Sequence, residues 1–134
     1  MILGVVLVAS VLVAQVVAGI VREAVSDEPS YLEKVQTCLT ERMRPFEQAA
    51  QDLIASSAKR GAVRTMVEGN RVTVALGGSE ADAERVYRAY VAVAPEDVVA
   101  TRLERHRKVV LLWDDEPSQA QREFMYLCTL DAQE

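Results

Sequence analysis

The chain has one histidine, two cysteines, six glycines and four prolines in 134 residues, and no charged residue before Arg22. Each scarcity narrows what the protein can do. A lone His106 leaves no histidine pair for a catalytic metal, and Cys38 and Cys128 have no nearby Cys or His to complete a zinc site. No glycine-rich phosphate loop, nucleophile elbow or spaced histidine motif is present. Positive charge is in deficit, with 15 Lys and Arg against 20 Asp and Glu and a net charge of −5, which argues against nucleic acid as a main partner. No cofactor is expected.

What the sequence does have is an uncharged stretch from Met1 to Val21 whose strongly polar members are Ser10 and Gln15. A bilayer's hydrocarbon core of about 30 Å, at about 1.5 Å of rise per residue, needs about 20 apolar residues, and Met1–Val21 meets that length. A cleaved signal peptide is the competing reading, because Val16-Val17-Ala18 could pass for a cleavage site. The run lacks a preceding Lys or Arg and exceeds the usual apolar region of about 7–15 residues, so a retained transmembrane helix is expected. Ser10, Ala14 and Ala18 recur every four residues and stack on one face with Gln15 beside them. A face of small side chains lets a neighbouring helix approach, and an amide in hydrocarbon wants an interhelical partner. Other transmembrane subunits are therefore the expected partners, with a homo-oligomer as an alternative.

The rest divides into a polar neck over 22–29 and a domain over 30–134, long enough for one modest core. In an oxidising compartment Cys38 and Cys128 would staple its first helix to its C-terminal region. Closing a loop of about 90 residues is worth up to about 4–5 kcal/mol in the chain-entropy model. Two buried thiols are the alternative. The charge flanking the apolar run slightly favours Arg22 in the cytoplasm, but the cysteines favour export. The expected topology is a single-pass membrane protein with a cytoplasmic N-terminus and an extracytoplasmic domain.

Within the domain, Ser30 and Glu33 have capping-box spacing and open a helix. Its apolar positions, Leu32, Val35, Leu39, Phe46, Leu53 and Ile54, fall mostly at three-and-four spacing. The pattern predicts one helix, kinked or restarted at Pro45, that ends near Lys59-Arg60-Gly61. Alternation over Val63–Val67 and Val72–Leu76 about Glu68-Gly69-Asn70 predicts a β-hairpin. Ser79 with Asp82 caps a second helix that stops before Pro95. A second hairpin comes next, with arms Val98–Leu103 and Lys108–Trp113 and a tip near Glu104–Arg107; its nearly unbroken apolar return arm marks an interior strand. Ser118 with Gln121 caps the last helix. The expected fold class is α+β: an N-terminal transmembrane helix, then an α-ββ-α-ββ-α domain with helices on one face of a four-stranded, mostly antiparallel sheet.

From Pro45 to Trp113 this order resembles the αββαββ arrangement of BON modules, envelope domains associated with membrane surfaces. Gly69-Asn70-Arg71-Val72-Thr73-Val74 is the nearest match to that family's glycine-led strand. A membrane-anchored lipid- or envelope-binding module is what that resemblance implies. The long apolar N-terminus, prolines at 29 and 45, sheet and cysteine pair also look like a type IV pilin, which implies a filament subunit. That family's early acidic residue is missing, because no Asp or Glu precedes Glu23.

Catalytic candidates are few. His106 sits in Arg105-His106-Arg107-Lys108 at the expected tip, where a solvated turn is the expected setting. Asp114-Asp115-Glu116 precede a proline as an exposed acidic loop would, and Ser56 and Ser57 end a helix without a base nearby. No catalytic, cofactor-binding or metal-binding residue is assigned. Arg102, Arg105, Arg107 and Lys108 concentrate positive charge on one hairpin of an acidic chain, suited to an anionic lipid headgroup or an acidic partner; the alternative is charged protection of a sheet edge. The sequence therefore points to a non-enzymatic accessory subunit of a larger membrane complex.

Overall fold

A computed structural model describes residues 29–130 and 132. The expected transmembrane helix and its face of Ser10, Ala14, Gln15 and Ala18 lie outside the described residues. The elements run α1 (Tyr31–Glu41), β1 (Phe46–Gln48), α2 (Leu53–Ser56), β2 (Ala62–Val67), β3 (Asn70–Leu76), α3 (Glu80–Val93), α4 (Glu96–Thr101), β4 (Leu103–His106), β5 (Val109–Trp113) and α5 (Gln119–Thr129). This is a mixed α+β domain with a five-stranded antiparallel sheet in the order β1-β2-β3-β5-β4.

The fifth strand is a correction, and Pro45 explains it. Helix α1 starts where expected, with Ser30 Oγ accepting from the Glu33 N–H at 3.2 Å. It stops at Glu41, where Met43 takes φ 59° and the Arg44 N–H returns to Leu39 O at 2.8 Å. Proline disfavours helical backbone in the residue before it and cannot donate in a ladder, so the chain leaves Pro45 extended. Phe46–Gln48 then pairs with β2, Phe46 opposite Thr65. Helix resumes only for the single turn of α2, capped by Asp52 Oδ1, which accepts from the N–H groups of Ile54 and Ala55 at 3.0 Å each.

The second hairpin is also shorter than expected. Glu96–Thr101 is helical, although Val98 and Val99 suit a strand. Pro95 at the N-cap and Glu96 and Asp97 in the first turn, whose charges oppose the helix dipole favourably, outweigh that local preference. The tip moves to Arg107 and Lys108, with Arg107 at φ 55°. In the first hairpin the tip is Glu68-Gly69, both at positive φ, the backbone that two-residue β-turns require.

Helices cover both faces of the sheet, not one. Alternation sends Val63, Val67, Val72, Val74, Leu76, Val109, Leu111 and Trp113 to one side, where they pack with Val35 and Leu39 of α1 and Met125 and Cys128 of α5. The intervening Ala62, Ala75, Val110 and Leu103 meet Ala55, Ala58, Ala83, Val86 and Tyr90 on the other. The two layers differ in side-chain size. Alanines dominate the α2–α3 side and let those helices approach the sheet closely, whereas Val, Leu, Met and Trp fill the wider gap beneath α1 and α5. Strands β3 and β5 lie between the layers, which accounts for the nearly continuous apolar run Val109–Trp113.

Candidate functional site

Three buried or half-buried carboxylates are the first places to look for chemistry, and each is engaged within the fold. Asp82, at the start of α3, accepts from the backbone N–H of Lys59 at 2.9 Å and of Gly78 at 3.0 Å. Arg85 adds donors from Nη2 at 2.8 Å and Nε at 3.2 Å. Burial pushes the Asp82 pKa up, but the two backbone donors and Arg85 outweigh it and hold the carboxyl below its usual value. Asp52 receives the Tyr90 hydroxyl at 2.6 Å besides capping α2. Burial, followed by the Asp52 contact, raises the Tyr90 pKa far above that of an ordinary phenol.

Glu104 anchors the third cluster, under α5 at the β4 edge. Its Oε2 accepts from Trp113 Nε1 at 2.8 Å and its Oε1 from the Tyr126 hydroxyl at 2.8 Å. Arg122 brings Nε to 3.2 Å from Oε1 as an ion-pair contact without hydrogen-bond alignment. His106 Nε2 lies 3.5 Å from the same oxygen, and its ring meets Tyr126 edge-on at 4.7 Å. Burial, with the adjacent Glu104 carboxylate, pushes the Tyr126 pKa up to about 12. The solvated turn expected for His106 is a correction: strand alternation aims the ring beneath α5, half-buried. The cluster joins β4, β5 and α5 around an acceptor already supplied with donors.

The basic hairpin is similarly woven into its surroundings. Arg105 Nε lies 3.0 Å from Glu84 on α3, Arg107 Nε 4.0 Å from Glu80, and Arg102 donates to Asp114 O at 2.9 Å. The Glu84 pKa is held down by its hydrogen bond from Arg88 and by the charges of Arg105 and Arg88, against a smaller burial effect. Lys108 closes the tip, its backbone carbonyl accepting from the Gly77 N–H at 2.7 Å. Asp114, Asp115 and Glu116 are exposed, and Asp115 is fixed through both its backbone groups by the Asn70 amide. Among the described residues no set of His, Cys, Asp and Glu side chains is gathered as a metal site.

Cys38 and Cys128 form a disulfide, with 5.4 Å between their Cα atoms. It fastens α1 to α5 over the larger core layer, where Cys128 is fully buried. Beside it, Tyr31 donates its hydroxyl to Thr129 O at 2.7 Å, and the guanidinium groups of Arg42 and Arg44 stack 5.9 and 5.0 Å from the centre of the Phe124 ring.

One concave feature lies beside β1, and the charge of its Arg64 reaches the Asp52–Tyr90 pair, where it opposes the rise of the Tyr90 pKa. Pro45, Phe46, Glu47, Arg64, Thr65, Met66 and Arg71 line an open depression of about 190 Å³ at the β1 end of the sheet. Phe46 and Met66 are 37 % and 40 % exposed there. Its two arginines are loosely held: Arg64 Nη1 lies 3.9 Å from Glu47 and Arg71 Nε 4.0 Å from Asp114. Arg64 Nε is buried with no hydrogen-bond partner. The sequence pattern concealed this site because it placed Phe46 on a buried helix face and left Arg64 and Arg71 as ordinary polar positions of a hairpin. No protein-family model, no curated protein and no solved structure matches the chain.

Proposed function

We propose that this protein is a non-enzymatic, single-span accessory subunit of a larger membrane complex. In this reading Met1–Val21 docks in the bilayer against other subunits, and the 30–134 domain braces or covers the assembly outside the cytoplasm. The observation that carries it is the Cys38–Cys128 disulfide combined with the uncharged N-terminal run. Disulfides persist in oxidising compartments, and an apolar run of spanning length ahead of such a domain is how a chain is exported and held. The polar networks support a binding role over catalysis: Asp82, Asp52 and Glu104 join elements of the fold, and none of them lines the depression beside β1.

Gentle detergent extraction with subsequent native mass measurement tests the proposal. Recovery with a defined set of other membrane proteins is the expected result. Long homopolymers would favour a pilin-like filament subunit, and a clean monomer that binds anionic liposomes would favour an envelope-surface module. Ala14→Leu sharpens the test, because it adds bulk to the small-residue face while keeping the segment apolar. Insertion should persist and co-purification should fall; wild-type recovery of the same partners would make the helix a tether alone.

A further inference from the structure

We infer that the open edge of β1, together with the depression lined by Arg64 and Arg71, is a docking site for an extended acidic peptide segment of a partner protein, which adds to the sheet as a sixth strand. The inference rests on the reading of the domain as a partner-binding module and names what it binds. The first support is the ladder. The Ala49 N–H donates to Ala62 O, and the Leu76 N–H donates to Gly61 O. In an antiparallel pair, bonded and non-bonded positions alternate, so Glu47 faces Arg64 across the β1–β2 ladder and shares its parity with Ala49. Phe46 and Gln48 therefore present their N–H and C=O groups to the opposite side. Strand β1 ends the sheet, all three of its residues are exposed, and among the described residues no strand pairs with that side.

The second support is chemical. An edge offering backbone donors and acceptors accepts any extended chain, and selectivity comes from the side chains beside it. Here Arg64 and Arg71 share one face of the sheet with apolar Met66 and with Glu47, the only acidic lining residue, while Phe46 stands on the other face beside Thr65. Arg64 Nε has been removed from water without receiving an acceptor. A carboxylate from the incoming strand supplies that acceptor and draws Arg64 from its 3.9 Å contact with the exposed Glu47. Alternate apolar residues of the same strand cover Phe46, which lies on the face of β1 opposite Glu47 and Arg64. The occupant is accordingly a strand that alternates apolar and acidic residues.

The test uses the full chain in nanodiscs of neutral phosphatidylcholine and a fluorescent peptide of alternating Val and Glu, with its Val–Lys counterpart as control. The acidic peptide should bind saturably and the basic one should not. Bound peptide should slow hydrogen exchange at the Phe46 and Gln48 amides while leaving Glu47 unchanged. Arg64→Gln with Arg71→Gln should weaken binding at least tenfold. Gln48→Pro should also weaken it, since the outward donor is lost while the bonds to β2 are kept; an intact Cys38–Cys128 cross-link and unchanged circular dichroism would show that this variant folds. If it does not fold, the exchange pattern of the wild type decides the matter. No saturable binding at millimolar peptide overturns the inference, as does binding indifferent to the two arginines. So does arginine-dependent binding to phosphatidylglycerol vesicles without peptide binding, which would assign the patch to a lipid surface. Wild-type partners retained by the Arg64→Gln, Arg71→Gln protein, with no peptide binding, would remove this site and leave the subunit reading standing.

Discussion

Asp82 holds three separate stretches of chain through one carboxylate: the residues before β2 through Lys59, those after β3 through Gly78, and α3 through Arg85. Arg85 extends the link by donating to Ser57 O at 2.9 Å. Asp82→Ala would leave two part-buried N–H groups without acceptors, each costing about 1–3 kcal/mol, so a loss of about 2–4 kcal/mol is expected in urea unfolding at pH 7. The pH dependence has a fixed sign. The folded pKa lies below the ordinary value of 3.8, so ionised Asp82 contributes its full stabilisation above that value and loses it as pH falls through the depressed one. The stability gap between wild type and Asp82→Asn should therefore be widest near neutrality and narrow progressively below about pH 4. A gap unchanged between pH 7 and pH 2.5 would show that the carboxylate's charge is not what holds the junction. In the sequence, Asp82 was legible as the third residue of a cap with Ser79, and that bond exists at 3.1 Å. Its larger role depends on Lys59, 23 residues away, which no local pattern could place beside it.

At the scale of elements, the caps and the hairpins were readable because their signals are local. Ser30, Ser79 and Ser118 each begin a helix as their spacing predicts, and Ser118 with Gln121 completes a reciprocal capping box. Strand β1 was not readable, because three residues are too few to display alternation and Phe46 happened to continue the helical stripe of Leu32, Val35 and Leu39. The alanines of the second layer were equally silent. They carry little hydrophobic signal, and what makes them a layer is the close approach of α2 and α3 from sequence-distant positions. Gly77, where β3 leaves the sheet for α3, shows how tight that side is. A Cβ there would stand 2.9 Å from Ala83 N, Lys108 O and Ser79 O, all backbone atoms that cannot swing aside. Gly69 differs, with φ 79° and open space around its Cα. Gly77→Ala should cost about 1–3 kcal/mol through overpacking and Gly69→Ala about 1–2 kcal/mol through left-handed backbone strain alone. Thermal unfolding separates the two mechanisms: Gly69→Asn should lose less than Gly69→Ala, because Asn tolerates left-handed backbone, whereas no side chain at position 77 avoids the clash with backbone atoms.

The whole molecule consists of two unequal layers on a shared sheet, and the disulfide serves one of them. Cys38 and Cys128 join the first and last helices of the described domain, both packed on the larger layer, while α2, α3 and α4 on the alanine side carry no covalent link. Cross-linking across 90 positions removes conformations from the unfolded chain, worth up to about 4–5 kcal/mol in the entropy model. Noncovalent contacts between α1 and α5 remain without it: the Tyr31–Thr129 hydrogen bond and the stacking of Arg42 and Arg44 on Phe124. Cys38→Ala with Cys128→Ala should therefore shift the urea midpoint strongly, and reductant should shift the wild type nearly as far while leaving the double variant where it is. Hydrogen exchange should show the loss first in α1 and α5, with β2, β3 and β5 still protected, because those strands keep their ladders and the helices on the other face. Non-reducing peptide mapping of protein from its native membrane gives the matching chemical result, one cross-linked peptide containing both cysteines. Two freely alkylated thiols in that material would remove the covalent staple and, with it, the main physical argument for placing this domain outside the cytoplasm.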